Sequence, residues 1–299
     1  MLDVVIIGSG PAGITAAIYA KRANLNVAVV EKEYLGTGQI AESSRVDNYP
    51  GIPGIDGYSL GEKFREHAES LGVEFTEAQV LSLGQKDGIW IIGCDEDITL
   101  ESKAVIYATG CKNRPLGVPG EEKYYGRGLS FCAVCDGAFY KGKSVAVIGG
   151  GDTALDDAMY LSDICEKVYL VHRREFFRGS ASTLEKLKQK ENVEIIVNAR
   201  VEEITGDKKI DGIILDNKTK LNISGLFAAV GMVPQTELLK EFGVLDESNY
   251  VKASEDTKTT VNGLFAAGDV RTKQLRQVVT AAADGANAIY SVMEYLRNI

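Results

Sequence analysis

The chain has 299 residues, 45% hydrophobic and 25% charged, so it is long enough and apolar enough to form two globular domains of ordinary size. Its formal net charge is −9 and the sequence contains no basic block, which argues against a nucleic-acid partner. It contains no apolar run as long as a membrane span and enters an apolar strand at once, with no leader-like segment, so we expect a cytoplasmic protein without a membrane partner.

The first predicted unit is a βαβ motif at the amino end. A buried strand at residues 4–8 leads into a Gly-x-Gly-x-x-Gly turn, a helix is expected at about 11–23, and a second apolar strand follows at 27–30. Such glycines allow the tight turn, the close approach of a pyrophosphate and the packing of the helix on the strand. A single copy is weak evidence, because glycine turns also join strands and helices that bind nothing.

Glu31 closes the second strand, where a carboxylate can accept hydrogen bonds from a ribose diol. This position favours the adenosine half of FAD or NAD at the first turn. Downstream, residues 74–100 alternate apolar and polar side chains between polar turns and predict a small β meander on the sheet. The segment 104–110, "AVIYATG", predicts a strand that ends in small residues, a common exit from a nucleotide-binding sheet.

A Cys-x-x-Cys pair, Cys132 and Cys135, comes next. The spacing allows a local, reversible disulfide when the second cysteine opens a helix, whose end lowers the pKa of a thiol. Asp136 follows directly and either moves the proton that dithiol exchange requires or caps a helix. Ordinary core cysteines and a zinc site are the alternatives for the pair; zinc is disfavoured, because the sequence has no second such pair and only two histidines.

The other three cysteines have no partner at a useful spacing. Five cysteines in a chain of this length do not predict a secreted disulfide framework. We expect Cys94 and Cys165 to be packing residues. Cys111 either packs in the same way or approaches a flavin.

The βαβ pattern then recurs at a constant offset, with a strand at 145–149, a Gly-Gly-Gly-Asp-Thr-Ala turn, a helix at about 153–162 and a strand at 168–171. Two copies in register favour two dinucleotide sites. The position of Glu31 is taken by His172, with Arg173, Arg174 and Arg178 after it. Guanidinium groups in place of a carboxylate suit a ribose 2′-phosphate, the alternative being a solvated basic stretch. We therefore expect FAD in the first copy and NADPH in the second.

Two further segments, 225–231 ("GLFAAVG") and 261–270 ("VNGLFAAGDV"), also predict strands that end in small residues. Asp269 closes the second of them and is placed to accept hydrogen bonds from the ribityl hydroxyls of a flavin. It is equally placed to cap a helix, because residues 272–296 have helical periodicity. The two roles are compatible.

In this order and spacing, "CAVCD", "GGGDTA", "HRREFFR" and "AAGDVRTKQLRQVVTAAADG" resemble the motifs of the low-molecular-weight thioredoxin reductases, class-II pyridine nucleotide-disulfide oxidoreductases, over essentially the whole chain. The resemblance implies an α/β fold of two Rossmann-like, three-layer ββα nucleotide-binding domains, the NADPH domain being inserted into the FAD domain. The FAD domain would comprise residues 1–113 and 245–299, and the NADPH domain, which carries the redox pair, residues 114–244. The family is homodimeric and passes electrons from NADPH through FAD to its own disulfide, and then to thioredoxin or a thioredoxin-like carrier.

The resemblance also implies roles for individual residues. Cys135 would face the flavin, Cys132 would attack the carrier, and Asp136 would be the acid/base. The implied FAD contacts are Gly8, Ser9, Gly10, Pro11, Ala12, Gly13, Glu31, Lys32, Gly38, Gln39, Asn48, Thr109, Gly110, Gly268, Asp269, Arg276, Gln277 and Val278. The implied NADPH contacts are Gly149, Gly151, Asp152, Thr153, Ala154, His172, Arg173, Arg174 and Arg178. No metal is expected.

One flavin must meet both the nicotinamide and the disulfide, so we infer that the inserted domain swings on linkers near 113–120 and 241–248. The sequence departs from the family at Thr37, Val134, Asp156 and Asp157, none of which removes a group that carries chemistry. Two other functions remain open, a flavin-dependent reductase of another dithiol carrier, such as one that feeds a peroxiredoxin, and a ferredoxin-coupled relative. The intact His-Arg-Arg run argues against the latter.

Overall fold

The computed structural model describes residues 1–33, 38–43 and 45–299, so Thr37 lies outside the described residues. The elements begin with β1 (Leu2–Ile7), α1 (Pro11–Arg22), β2 (Val27–Glu31), α2 (Gly57–Ser70), β3 (Glu74–Glu77), β4 (Val80–Lys86), β5 (Ile89–Cys94), β6 (Thr99–Tyr107) and β7 (Cys111–Asn113). They continue with β8 (Leu129–Ser130), α3 (Ala133–Asp136), β9 (Ser144–Ile148), α4 (Asp152–Ser162), β10 (Lys167–His172), α5 (Ala181–Lys188), β11 (Val193–Val197), β12 (Val201–Thr205), β13 (Gly212–Leu215), β14 (Lys220–Asn222) and β15 (Gly225–Ala228). The last are β16 (Met232–Pro234), β17 (Leu264–Ala266) and α6 (Val278–Leu296).

The chain forms two compact units, one of Met1–Lys112 with Val233–Ile299 and the other of Asn113–Met232. The second unit is therefore an insertion in the first, and its first boundary falls within one residue of the boundary predicted at 113. Its second boundary comes earlier than the predicted 244–245. The reason is that Leu239 and Val244 are buried in the core of the first unit with Trp90. Residues 241–248, predicted as a linker, consequently belong to the first unit.

The first unit is built on a seven-stranded sheet in the order β3-β2-β1-β6-β5-β4, with β17 also paired to β6. The strands β3, β2, β1, β6 and β17 run parallel, whereas β4 and β5 continue the sheet from β6 as an antiparallel meander. The meander predicted over 74–100 therefore starts at β4. The preceding strand β3 pairs in parallel with β2 instead, at the opposite edge of the sheet.

Alternate side chains of each central strand enter different cores, because successive residues of a strand point to opposite faces. On one face Val4 and Ile6 pack with the apolar side chains of α1 and α6. On the other, Val5 and Ile7 pack with Trp90 and with the 239–253 segment. The first unit thus has a helical layer on one side of its sheet and a mainly β layer on the other.

The second unit repeats this arrangement on a parallel five-stranded sheet in the order β11-β10-β9-β15-β8. Ala146 and Ile148 face the antiparallel sheet β12-β13-β14, whereas Val145 and Val147 pack against α4. The predicted α/β class with two three-layer ββα units is confirmed. In the described parts of the chain, every helix is too short or too polar to span a membrane.

Helix α1 lies unusually close to the strand before it and to α6. A Cβ atom at Gly13 would stand 1.9 Å from the carbonyl oxygen of Gly8, and one at Gly285 would stand 2.2 Å from that of Ala12. Both distances are far below van der Waals contact, so only glycine fits either position without moving backbone. These contacts hold the amino end of α1 against the sheet.

We predict that Gly13→Ala destabilises the first unit by about 3 kcal/mol or more, because the added methyl overlaps the carbonyl group of Gly8. Denaturant unfolding followed by the fluorescence of the single tryptophan, Trp90, measures this unit, since its indole is fully buried there. Gly84→Ala is the matched control, because a Cβ at Gly84 meets no atom within 4 Å. Equal unfolding midpoints for the two variants would contradict the prediction.

Candidate functional site

The first glycine turn contains one glycine that the protein itself does not require. Gly8 has φ +106° and Gly13 lies against backbone, so both are demanded by the fold. Gly10, the residue before α1, has φ −66° and ψ 179°, which any residue adopts, and a Cβ there would meet no atom within 4 Å. The open space at Gly10 is where a ligand's pyrophosphate would approach the helix N-terminus.

The second glycine turn likewise contains one glycine that the fold requires and one that it does not. A Cβ at Gly149 would meet the carbonyl oxygen of Ala229 at 2.4 Å and the Cβ of Ala154 at 2.7 Å, so this glycine permits close packing. Gly151 precedes α4 with φ −97° and ψ −178°, and a Cβ there would again meet no atom within 4 Å. Each unit therefore presents one unobstructed glycine at the start of a helix.

Glu31 is buried at the end of β2 and has one oxygen engaged and one unengaged. Its Oε1 pairs with Arg65 of α2, whose guanidinium also lies 3.4 Å from the ring centre of Phe75. Its Oε2 is buried and accepts no hydrogen bond from the described residues. A buried unpaired carboxylate oxygen is costly, and a ribose diol would satisfy it. Lys32, the next residue, is exposed.

The turn at Gly268–Val270 provides the second unpaired acceptor. A Cβ at Gly268 would lie 2.9 Å from that of Ala12, which places this turn beside the first glycine turn. Asp269 has a buried Oδ1 with no partner among the described residues, and burial raises the pKa of its carboxyl, against the opposing charges of Lys273 and Arg276. Asp269 does not cap a helix, since α6 begins at Val278, with Gln277 as its cap.

A buried ion cluster anchors this turn to α6. Asp284 accepts two bonds from Arg271, at 2.6 and 2.8 Å, one from Lys273 at 2.9 Å and one from the backbone N–H of Gly268 at 2.9 Å. The side chains of all three charged residues are at most 7% exposed. Asp284 was not among the predicted site residues, because Arg271 and Lys273 precede it by 13 and 11 residues and no local pattern links them.

Arg276 and Cys111 contact the same turn from two sides. Arg276 donates to the carbonyl oxygen of Asp269 at 3.3 Å and lies 4.2 Å from the ring centre of Tyr250. The thiol of Cys111 donates to the same carbonyl at 2.9 Å. Burial, and then the charge of Asp269, raise the pKa of Cys111 to about 11, so it is a neutral donor here. Of the other unpaired cysteines, Cys94 and Cys165 are buried in apolar clusters, as predicted.

The remaining residues predicted at the first site are connected by three contacts within the unit. Gly38, which opens a 3₁₀ turn that also contains Gln39, has a Cβ position 3.6 Å from the Cα of Gly10. The amide of Asn48 donates to Oε1 of Gln277 at 2.9 Å, although the two are far apart in sequence. Thr109 and Gly110, which follow β6, bond to the backbone of Gln235. These contacts place Gly38 beside Gly10 and join Asn48 to Gln277 within the first unit.

The arginine cluster of the second unit is exposed. Arg173, Arg174 and Arg178 all face solvent, and within the described ranges no carboxylate forms an ion pair with them. Three exposed, unneutralised guanidinium groups beside the open glycine are the chemistry that a 2′-phosphate requires.

His172 differs from its arginine neighbours. Its ring is buried, it would stand 2.2 Å from a Cβ at Gly150, and its Nε2 donates to the carbonyl oxygen of Phe176 at 3.1 Å. Burial, together with the charges of the nearby arginines, holds its pKa below the ordinary value, so the ring is neutral at pH 7. This environment favours a role in holding the arginine loop over direct contact with a phosphate.

Asp152 completes the attachment of that loop to the glycine turn. Its Oδ1 accepts from the backbone N–H of Ser180 at 2.7 Å, and the backbone N–H of Arg178 donates to the carbonyl oxygen of Gly150 at 2.7 Å. The loop is thereby held beside the N-terminus of α4, where Thr153 is exposed. Asp156 and Asp157, at which the sequence departs from the family, lie farther along this helix. Burial, and then the charge of Asp156, raise the pKa of Asp157 to about 7.

The dithiol is closed as a disulfide between Cys132 and Cys135, with an S–S distance of 2.09 Å. Cys132 precedes the short helix α3, and its sulfur accepts from the backbone N–H of Cys135 at 3.2 Å. Both cysteines are partly exposed. A disulfide at the start of a helix, open to solvent, can exchange with a second dithiol.

Asp136 directly follows Cys135 in the chain and is held by a residue outside the predicted site. Its Oδ2 accepts from the hydroxyl of Ser130 at 2.6 Å. It makes no capping hydrogen bond, which removes the alternative of a helix cap. Burial raises the pKa of Asp136, and the bond from Ser130 opposes that rise. No local pattern indicates Ser130; strand β8, which positions it, is only two residues long.

The residues at the two glycine turns fit the two ligands expected from the sequence, FAD and NADPH. At the first, the open position at Gly10 and the unpaired oxygens of Glu31 and Asp269 suit a flavin dinucleotide. At the second, the open position at Gly151 and the exposed arginines suit a phosphorylated pyridine nucleotide.

Fold and site together define a protein with a disulfide open to exchange and two glycine turns of the dinucleotide-binding type, called the first and second cradles below. The family model for pyridine nucleotide-disulphide oxidoreductases matches residues 2–285, and the chain belongs to this family. Among curated relatives, a thioredoxin reductase of Bacillus subtilis is 38% identical over 99% of this chain and 95% of its own, and one of Helicobacter pylori is 40% identical over 100% of both. The crystal structure of thioredoxin reductase from Streptococcus pyogenes matches with a TM-score of 0.94 at 40% identity, covering 100% of this chain and 99% of its own.

We predict that Gly10→Ala impairs ligand binding at the first glycine turn only, and Gly151→Ala at the second only. Each added methyl points into open space, so the stability of the protein should be unchanged. Each should nevertheless block the approach of one pyrophosphate and lower the affinity for the matching ligand by about tenfold or more. Flavin content per protein measures the first cradle, and the dissociation constant for NADPH measures the second. Each variant is the control for the other. Loss of both ligands from either variant would contradict separate sites.

We predict that Asp284→Ala lowers the stability of the first unit by about 3–5 kcal/mol, because it leaves Arg271 and Lys273 buried without their anion. Trp90 fluorescence during denaturation again measures the loss. Glu294→Ala is the matched control on the same helix, since it removes an exposed ion pair with Lys258 and should change the unfolding midpoint little. The prediction is wrong if the two variants unfold alike.

Proposed function

We propose that the chain is a thioredoxin-disulfide reductase, an NADPH-dependent flavoprotein that transfers electrons through FAD to the Cys132–Cys135 disulfide and on to thioredoxin or a thioredoxin-like carrier. The observation that carries the proposal is this disulfide, which is followed directly by the half-buried carboxylate of Asp136 in the unit that also has the second glycine turn. Relatives of nearly the same length, named thioredoxin reductases, support it. In keeping with that family, we also propose a cytoplasmic homodimer.

The first unit binds FAD in this proposal. The N-terminus of α1 at Gly10 holds the pyrophosphate, and Glu31 accepts from the ribose through its unpaired oxygen. Asp269 accepts from the ribityl hydroxyls, and Asp284 keeps its turn in place. When bound, the flavin supplies a two-electron connection between the nicotinamide and the disulfide.

The second unit binds NADPH. Gly151 allows the pyrophosphate to reach α4, and Arg173, Arg174 and Arg178 hold the 2′-phosphate by charge-assisted hydrogen bonds. His172 and Asp152 maintain the loop that carries these arginines. The guanidinium cluster predicts that NADPH binds more tightly than NADH.

The disulfide completes the electron transfer by ordinary thiol exchange. Two electrons and two protons convert Cys132–Cys135 to two thiols. The thiolate of Cys132 then attacks the disulfide of the carrier, and Cys135 displaces the carrier from the mixed disulfide, which releases it as a dithiol. Asp136 exchanges protons with the sulfurs, and its raised pKa lets it do so nearer neutral pH than an exposed aspartate would.

The test is an anaerobic titration of the purified protein, followed by its flavin absorption band. We expect the band to bleach with NADPH at much lower concentration than with NADH, and to return on addition of oxidised thioredoxin. Return with another dithiol protein, but not with thioredoxin, would favour a different carrier. A protein that lacks flavin, or that bleaches only with reduced ferredoxin, would overturn the proposal.

We predict that Cys135→Ser abolishes thioredoxin reduction and leaves the reduction of an artificial dye by NADPH, because only the first activity requires the disulfide. Steady-state assays of both activities measure this. Cys165→Ala, which alters an unpaired cysteine of the same unit, is the control and should keep both. Loss of both activities together in Cys135→Ser would count against this order of electron transfer.

A further inference from the structure

We propose that Ser130 is the positioning residue that connects the carboxylate of Asp136 to the dithiol turn, an inference that rests on the proposed function. Its hydroxyl donates to Oδ2 of Asp136 at 2.6 Å and accepts from the backbone N–H of Cys132 at 3.1 Å. The backbone N–H of Asp136 donates in turn to the carbonyl oxygen of Cys132, also at 3.1 Å. One hydroxyl therefore fixes both the proton-carrying group and the first cysteine.

The sheet holds this hydroxyl in place. Ser130 lies in β8, which pairs in parallel with β15, so that Ser130 stands opposite Phe227. Only 6% of Ser130 is exposed, and Phe227 is fully buried. A buried side chain on a paired strand has little freedom, and the position of the hydroxyl is set by the core of the second unit. The dithiol turn is thus aligned with the sheet through a side chain.

The hydrogen bond from Ser130 also favours the ionised form of Asp136. A hydrogen bond donated to a carboxylate stabilises its ionised form, so its loss raises the pKa, in the same direction as burial. The other titratable groups on neighbouring elements are Tyr140 in the following turn, and Asp157 and Tyr160 on α4, which packs on this segment at Gly137. Ser130 is the donor that opposes burial.

The protonation state of Asp136 affects the step in which Cys132 reacts with the disulfide of the carrier. Before Cys132 attacks a sulfur of the carrier, its thiol proton passes to the carboxylate of Asp136, and after attack by the thiolate the proton passes to the departing carrier thiolate. This transfer requires Asp136 to be ionised before attack. Without Ser130 a smaller fraction is ionised at a given pH, so the acid limb of the rate profile moves to higher pH.

The experiment compares Ser130→Ala with the wild-type protein by ¹³C NMR of labelled aspartate carboxyls. The resonance of Asp136 is identified by its absence in Asp136→Asn. We expect Asp136 to titrate at higher pH in Ser130→Ala, and the rate of carrier reduction at about pH 6 to fall about tenfold, the effect of losing one hydrogen bond to a charged group. Ser162→Ala, which removes another buried hydroxyl of the same unit, should leave both measurements unchanged.

A second pair keeps the test decisive if Ser130→Ala folds poorly. Ser130→Thr and Ser130→Val have the same shape and differ in the hydroxyl, so Thr should restore the titration of Asp136 and Val should not. An unchanged titration, or a rate reduced equally at every pH, would overturn the proposal. The NMR titration needs neither NADPH nor thioredoxin, so it still decides the role of Ser130 if the proposed function fails.

Discussion

The close contact between a strand and the helix that follows it is the constraint on which both units depend. A methyl group at Gly13 would collide with the carbonyl of Gly8, and one at Gly149 would collide with the carbonyl of Ala229 and the Cβ of Ala154 in the following helix, so each helix packs closely at the carboxyl end of the central strand. The same closeness leaves Gly10 and Gly151 as the unobstructed positions before a helix N-terminus. The packing that stabilises each core therefore also creates each cradle, and a substitution that relieves the packing would displace the site.

Buried charge is distributed around these cradles in two different ways. In the first unit, Asp284 is fully paired and fixes the turn that carries Asp269, whereas Glu31 and Asp269 each keep a buried oxygen that has no partner among the residues the structure describes. Because unpaired buried acceptors are costly, their occurrence on both sides of an open glycine turn is the mark of a ligand site rather than of structural support. In the second unit the excess charge is positive and exposed, as a site for a mobile phosphorylated coenzyme requires.

The dithiol belongs to the inserted unit and not to the first. Its turn is connected to the sheet of that unit through Ser130, which also bonds to the half-buried Asp136, the proposed acid/base residue. The disulfide, the proposed proton carrier Asp136 and the second glycine turn consequently lie in one structural unit. We therefore expect a substitution in the core of the second unit to affect the disulfide, and a substitution in the first unit to affect the proposed FAD site.

The sequence alone determined the features that depend on local backbone geometry. Glycine spacing, strand–turn–helix order and the interval between Cys132 and Cys135 act over a few residues, so the cradles, the α/β class and the disulfide were predictable. Tertiary structure decided the features that depend on pairing between distant segments. The burial of His172 under Gly150, the bonds of Ser130 to Asp136, the anchoring of Arg271 by Asp284 and the end of the inserted unit at Met232 all arise from how strands and helices pack. No local pattern encodes these contacts, because the free energy that selects them comes from excluding water between segments that lie far apart in the chain.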